Sequence, residues 1–269
     1  MKPYYQYKNQ ELISHSRIPL IIASDNDQIF KALAQEMVAT IEANNANNQP
    51  TVIICPVGPI GHYPYFVDMV NTKKLSLHSV WFINMDEYLT ADKEWVLEDH
   101  PLSFRGFMKR TVYSQIDKDL VMPESQRLFP DPLDLSLVER TISQLGKVDL
   151  CLGGIGINGH VAFNEPEPNL SHQAFMDLPT RVLPIAPETR AINSVGDLRG
   201  AIEDMPRDCV SIGMREIMKA KKIRLGVFRD WHYAVIRRAV CAQPSPEFPV
   251  TLLQSHPDIE IYLNKDLAN

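Results

Sequence analysis

Between Val148 and Pro166 the chain reads V-D-L-C-L-G-G-I-G-I-N-G-H-V-A-F-N-E-P, and this stretch restricts the fold more than any other. A short apolar run closed by glycine is the pattern of a fully buried strand in a parallel sheet, and Gly153 and Gly154 mark where the backbone leaves it. Open α/β sheets hold their ligands just outside the carboxyl ends of such strands. Beyond that edge Gly156 and Gly159 permit sharp turning and close ligand approach, while Asn158, His160 and Glu165 supply an amide, an imidazole and a carboxylate. A plainer reading makes the glycines turns and His160 a hydrogen-bonded core histidine. Three potential proton-handling groups at one strand exit weigh toward chemistry.

The rest of the chain supplies neighbours for that strand. Apolar runs at 18–23, 51–55, 79–84, 209–213, 223–228 and 259–263 read as further strands, with 252–257 beside the last. Ser24 and Asp25 form the cap of a helix carrying Ile29, Leu33, Met37 and Ile41 at helical spacing. Other helices are expected through Tyr65, Phe66, Met69 and Val70, over 102–113, near 135–145 and over 231–240. Arg105, Lys109 and Arg110 read as a solvated helix face, and the Pro-rich segment 166–177 as irregular. Strands alternating with helices argue for a parallel or mixed sheet with helices on both faces. A length of 269 residues fits one large α/β domain.

Two further polar features stand at strand ends. The loop Pro56-Val57-Gly58-Pro59-Ile60-Gly61-His62 can present backbone N–H groups to an anion, or serve as a plain turn, since its prolines lack N–H and it holds no Ser, Thr or Lys. Asp86 and Glu87 follow the third strand, as candidates for proton transfer or as helix caps. The segment after them, with Trp95 and Val96 among charges, reads as an insertion over the mouth of a site.

A net charge of −6 and a pI near 5.8, with no basic run, argue against a nucleic-acid or anionic-membrane surface and favour a small-molecule substrate. Cys55, Cys151, Cys209 and Cys241 show no C-x-x-C spacing, a pattern of reduced thiols and a cytoplasmic setting. The first ten residues, M-K-P-Y-Y-Q-Y-K-N-Q, carry no apolar leader core, and no run of eighteen apolar residues occurs, so neither secretion nor membrane spanning is expected.

Several blocks, in order, resemble the glucosamine-6-phosphate deaminases, also called isomerases. Phe82-Ile-Asn-Met-Asp-Glu-Tyr88 is similar to that family's F-N-M-D-E-Y block, and His100-Pro-Leu-Ser-Phe104 to its H-P-x-S-Y/F. The stretch from Gly154 to Pro166 resembles G-x-G-x-[DN]-G-H-I-A-F-N-E-P. Thr189-Arg-Ala-Ile-Asn-Ser194, Ser211-Ile-Gly-Met214 and Leu253-Gln-Ser-His-Pro257 match three shorter pieces. The resemblance implies a modified Rossmann-like, doubly wound, mostly parallel sheet with helices on both faces. It also implies conversion of an amino-sugar phosphate into a keto-sugar phosphate plus ammonia, with no metal or organic cofactor.

Carried over by position, His160 opens the sugar ring, Asn158 and Glu165 orient and tune it, and Asp86 moves the proton from C2 to C1. Gly58, Pro59, Ile60, Gly61, Glu87, Gly156, Gly159 and His232 fall at substrate-contacting positions. Asp86 needs to be an unprotonated base, which a wet or hydrogen-bonded site allows without a large pKa shift. The partner implied is a sugar or sugar phosphate, and the family often self-associates, commonly as hexamers. A sugar lactonase or other sugar isomerase of the same superfamily, and a sugar-sensing protein without catalysis, are the alternatives.

The phosphate-contacting positions depart from the family together. Where the family reads close to T-G-[GS]-T-P, this chain has Val57-Gly58-Pro59-Ile60-Gly61; Val195 stands in place of its phosphate arginine, and His232 at or near its lysine. Arg181, Arg199 and Arg229 are the nearby cations that could substitute. The expectation is that proton-transfer machinery is kept while the substrate's far end is recognised differently. Leu183 replaces a lysine of the family's allosteric piece, so classical activation is not expected.

Overall fold

The computed structural model describes residues 1–269, the side chain of Asp197 excepted. Ten strands form two sheets: β1 (Leu20–Ala23), β2 (Thr51–Cys55), β3 (Val80–Asn84), β4 (Asp86–Leu89), β5 (Arg127–Leu128), β6 (Val148–Gly153), β7 (Arg181–Pro184), β8 (Asp208–Ser211), β9 (Ala220–Val227) and β10 (Ile259–Asn264). The large sheet runs β1-β10-β9-β6-β2-β3-β5 and every pairing in it is parallel. The small one, β4-β8-β7, is antiparallel.

Buried strands need apolar side chains on both faces, and β2 supplies them alternately. Val52 and Ile54 enter one core with Val138, Ile142, Val235 and Ile236 of the helices Leu137–Leu145 and His232–Cys241. Ile53 and Cys55 enter the other with Ile29, Leu33, Met37, Phe66 and Val70 of the helices Asn26–Ala46 and His62–Lys73. The sheet is therefore doubly wound. Asp25 caps the first of these helices, its carboxylate accepting the Gln28 N–H at 2.9 Å.

Successive strands step outward from the middle in both directions, β2 to β3 to β5 on one side and β6 to β9 to β10 on the other. The direction reverses between β2 and β6, which pair through Ile53 with Leu150 and Ile54 with Cys151. Loops leaving two strands at such a reversal diverge and open a crevice at the carboxyl edge. The loop after β2 and the glycine-rich exit of β6 are those two loops.

Several elements differ from expectation. Residues 252–257 do not extend the sheet, because Pro249 starts a buried 3₁₀ helix, Pro249–Ser255, in which it needs no N–H donor. The segment after Pro166 holds a short helix, His172–Met176, capped by Ser171. Asp86 to Leu89 is not the frayed end of β3 but a strand of the small sheet, opposite β8. Trp95 bridges back to Leu89, its indole N–H bonds the Pro130 carbonyl at 3.0 Å, and Val96 is buried against the small sheet. That segment is a packed hairpin whose end, at Pro101, lines the cavity of the site. Arg105 is no solvated residue either, since its guanidinium lies 4.4 Å from the Trp95 ring centroid and donates to the Val96 carbonyl. Among the described residues no helix is long and apolar enough to cross a membrane.

Candidate active site

A cavity of about 580 Å³ occupies the crevice, and Asp86, His160, Gly156, the Gly58 to Gly61 loop and Arg229 all face it. Gly156 is there for a steric reason. A Cβ on it would lie 2.0 Å from Cε1 of the His160 ring, so the imidazole rests directly on this bare backbone. Gly159 lies behind the ring with φ +84°, and a Cβ there would strike the Phe248 ring at 2.6 Å. It shapes the turn and does not line the cavity, contrary to expectation.

The His160 ring is held from one side. Nδ1 lies 2.8 Å from Asn158 Oδ1, 3.3 Å from Glu165 Oε2 and 3.3 Å from the Thr189 hydroxyl. The Asn158 amide cannot turn over without loss, because its NH₂ donates to Glu165 Oε2 at 2.7 Å and to Glu188 Oε1 at 3.0 Å. Its oxygen is thus the atom offered to Nδ1, and in the neutral imidazole the proton sits on Nδ1. Nε2 is left with a lone pair and, among the described residues, no hydrogen bond. Burial pushes the Glu165 carboxyl up, but the hydrogen bond and charge of His160, with bonds from Asn158 and Thr189, outweigh it and hold the group below its ordinary range. An anionic carboxylate in contact with the ring stabilises imidazolium when it forms.

Asp86 has a different environment. It is 7 % exposed, and burial, followed by the nearby Glu87 charge, pushes its carboxyl well above the usual range. Among the described residues no hydrogen bond to its side chain offsets that. The expectation of an unperturbed base is therefore corrected: Asp86 is a carboxyl held toward its neutral form until something in the cavity stabilises its charge. Glu87, expected to touch substrate, is fully buried. It accepts the N–H groups of Tyr88, Phe104 and Arg105 and the Ser103 hydroxyl at 2.9 to 3.0 Å, with the Arg105 guanidinium at 3.4 Å. Its acceptor capacity is spent on anchoring the start of the helix Phe104–Met108.

At the far end the loop after β2 presents Val57, Pro59 and Ile60, beside Phe30, Phe228 and Trp231. His232 lines this end but cannot replace a lysine. Its Nδ1 accepts the Arg229 and Phe228 N–H groups at 3.0 and 3.3 Å while Nε2–H donates to the Ile155 carbonyl at 2.9 Å. Burial keeps the ring neutral, with its pKa pushed down to about 4. Of the three candidate cations only Arg229 reaches the cavity. Arg181 lies away from the cavity, donating to Asn164 Oδ1 at 2.8 Å with Glu167 at 3.7 Å, and Arg199 sits in an exposed left-handed turn with φ +53°.

Three contributors escaped the sequence reading. Thr189 and Glu188 come from the first turn of the helix Pro187–Asp197, and Ala162, in the cavity wall, has φ +54°. A non-glycine residue in that region is strained, and such strain gathers at functional sites. The T-R-A-I-N-S piece was the available signal for Thr189, and Glu188 stands just before it.

The fold is shared with solved sugar enzymes. A monomeric glucosamine-6-phosphate deaminase of the NagB superfamily matches with TM-score 0.80 and 23% identity, covering 93% of this chain and 99% of that one. A 6-phosphogluconolactonase from Thermotoga maritima matches with TM-score 0.67 and 14% identity, covering 92% and 99%. The fold thus puts the chain in the α/β class that holds these deaminases and lactonases. No protein-family model matches. Among curated relatives, the glucosamine-6-phosphate deaminase of Parabacteroides distasonis is 30% identical over 246 residues, 88% of this chain and 86% of its own length. That of Clostridium perfringens is 29% identical over 258 residues, 93% and 98%. The chain belongs to the glucosamine-6-phosphate deaminase family.

Proposed function

We propose that this protein is an amino-sugar deaminase and isomerase. The observation that carries the reading is that Asp86 and His160 face one cavity. His160 Nε2 takes the proton of the anomeric hydroxyl as the ring oxygen leaves C1, and returns it to that oxygen, giving the open-chain aldehyde. Asp86, as carboxylate, removes the C2 proton as O1 takes a proton from the C2 ammonium, forming an enolamine, and delivers the C2 proton to C1. The resulting C2 imine adds water and expels ammonia, leaving a ketose. An ammonium group on C2 is the counter-charge that makes ionised Asp86 affordable at its buried position. The two curated relatives above, both glucosamine-6-phosphate deaminases by name, support this reading over lactone hydrolysis.

Ammonia release from a panel of amino sugars and their phosphates tests it. Wild type should release ammonia and Asp86→Asn should not; hydrolysis of sugar lactones without ammonia release would favour the lactonase alternative.

A further inference from the structure

Resting on the amino-sugar reading, we infer that the substrate carries no phosphate: the far wall of the cavity is built for the uncharged hydroxymethyl end of a free 2-amino-2-deoxyhexose.

A phosphate dianion brings two negative charges and only acceptor atoms, so its site needs several donors and close to two positive charges. Among the described residues lining this cavity, Arg229 is the single cation, and it is solvent-exposed. An exposed guanidinium acts through water and salt and gives a screened contact. The other position from which a charge could reach in is filled by His232, whose two nitrogens are both taken by the backbone. Val57 and Ile60 bring no hydroxyl, and Pro59 no N–H. Phe30 packs against Gly61 and meets Phe228 edge-on at 5.0 Å, making this side of the loop apolar.

Asp86 adds a further objection. A carboxyl already driven toward its neutral form would be driven further by a dianion in the same cavity, just where the reaction needs it ionised. An uncharged hydroxyl has neither difficulty. It both donates and accepts, so it can be held by ordinary hydrogen bonds with no counter-charge. Each charge-assisted contact missing from a phosphate site lowers affinity about ten- to a hundredfold, so two missing contacts would reverse an ordinary preference for the phosphorylated sugar.

The test uses wild-type protein and two comparisons. Steady-state ammonia release is measured with glucosamine and galactosamine against their 6-phosphates; kcat/KM at least tenfold higher for a free sugar is expected, and a higher value for its 6-phosphate overturns the inference. Calorimetric binding is then measured with 2-amino-2-deoxyglucitol and its 6-phosphate, which have no carbonyl and cannot react. Tighter binding of the unphosphorylated alcohol supports the inference even if no ammonia is released, an outcome that would fault the catalytic reading alone. Tighter binding of the phosphate overturns the inference whether or not the enzyme turns over, and binding of neither overturns both.

Discussion

Gly156 and Asp86 show at the scale of one residue how the site is made. The His160 ring fills the space a side chain at 156 would need, so Gly156→Ala should swing the imidazole off its line to the cavity. A displacement of about 1 Å costs roughly a hundredfold in rate, and steady-state kinetics should show that loss mainly in kcat. Asp86 makes opposite demands on rate and stability. In the folded protein burial raises its pKa above that of the unfolded chain, so the folded state holds this proton more tightly. The carboxyl thus favours folding below the ordinary carboxylate range and disfavours it as pH rises through the folded pKa. Asp86→Asn should therefore melt at a higher temperature than wild type at pH 8, with the advantage vanishing near pH 4, while losing about 10²- to 10⁴-fold in ammonia release. A melting temperature unchanged at pH 8 would contradict the buried, unpartnered carboxyl. The general location of these groups was legible, because a glycine-rich strand exit carrying His160 advertises itself. Their states were not, since Glu87 is satisfied largely by the Ser103 hydroxyl and the Phe104 and Arg105 N–H groups, sixteen to eighteen positions downstream, which no local pattern reveals.

Among elements, the loop and helix after β2 and the start of the helix His232–Cys241 decide what the far wall is. Both carry a buried histidine. His62 opens the helix His62–Lys73 with neither ring nitrogen bonded among the described residues, and burial alone pushes its pKa down to about 3. For His232 the figure is about 4. Each binds its proton more weakly folded than unfolded, so their stability contribution is complete above about pH 6.5 and is lost as pH falls toward 4 and then 3. Urea midpoints measured from pH 7 down to 4 should fall steadily, and His232→Gln should flatten the slope; an unchanged slope would mean that the ring is not neutral in the fold. Strands of the large sheet were readable from their apolar runs, except the two-residue edge strand β5, Arg127–Leu128, which has no such run. In the small sheet β8 was legible from the apolar run at 209–213, and its two partners were harder to read. D-E-Y-L and R-V-L-P are short, mix charge with apolar residues and pair across long separations, so β4 resembled a strand terminus.

Across the whole molecule the reversal of strand order between β2 and β6 is what brings the parts together. It opens the crevice, the small sheet carries Asp86 to one side of it, and the exit of β6 carries His160 to the other. The helix Pro187–Asp197 then supplies Thr189 and Glu188 from behind. Two cores on opposite faces of the sheet hold these loops in place, so the site is a property of the topology rather than of one motif. The central claim is that Asp86 and His160 work on one sugar in succession. Following deuterium from C2 of a 2-deuterated amino sugar into C1 of the ketose, for wild type, Asp86→Asn and His160→Gln, tests this most directly. Wild type should place deuterium at C1 as ammonia appears, and Asp86→Asn should give neither label nor ammonia while still binding the amino sugar. His160→Gln should regain label only when the substrate is supplied as an open-chain aldehyde analogue that cannot cyclise. Deuterium entering C1 at the wild-type rate in Asp86→Asn would contradict the account.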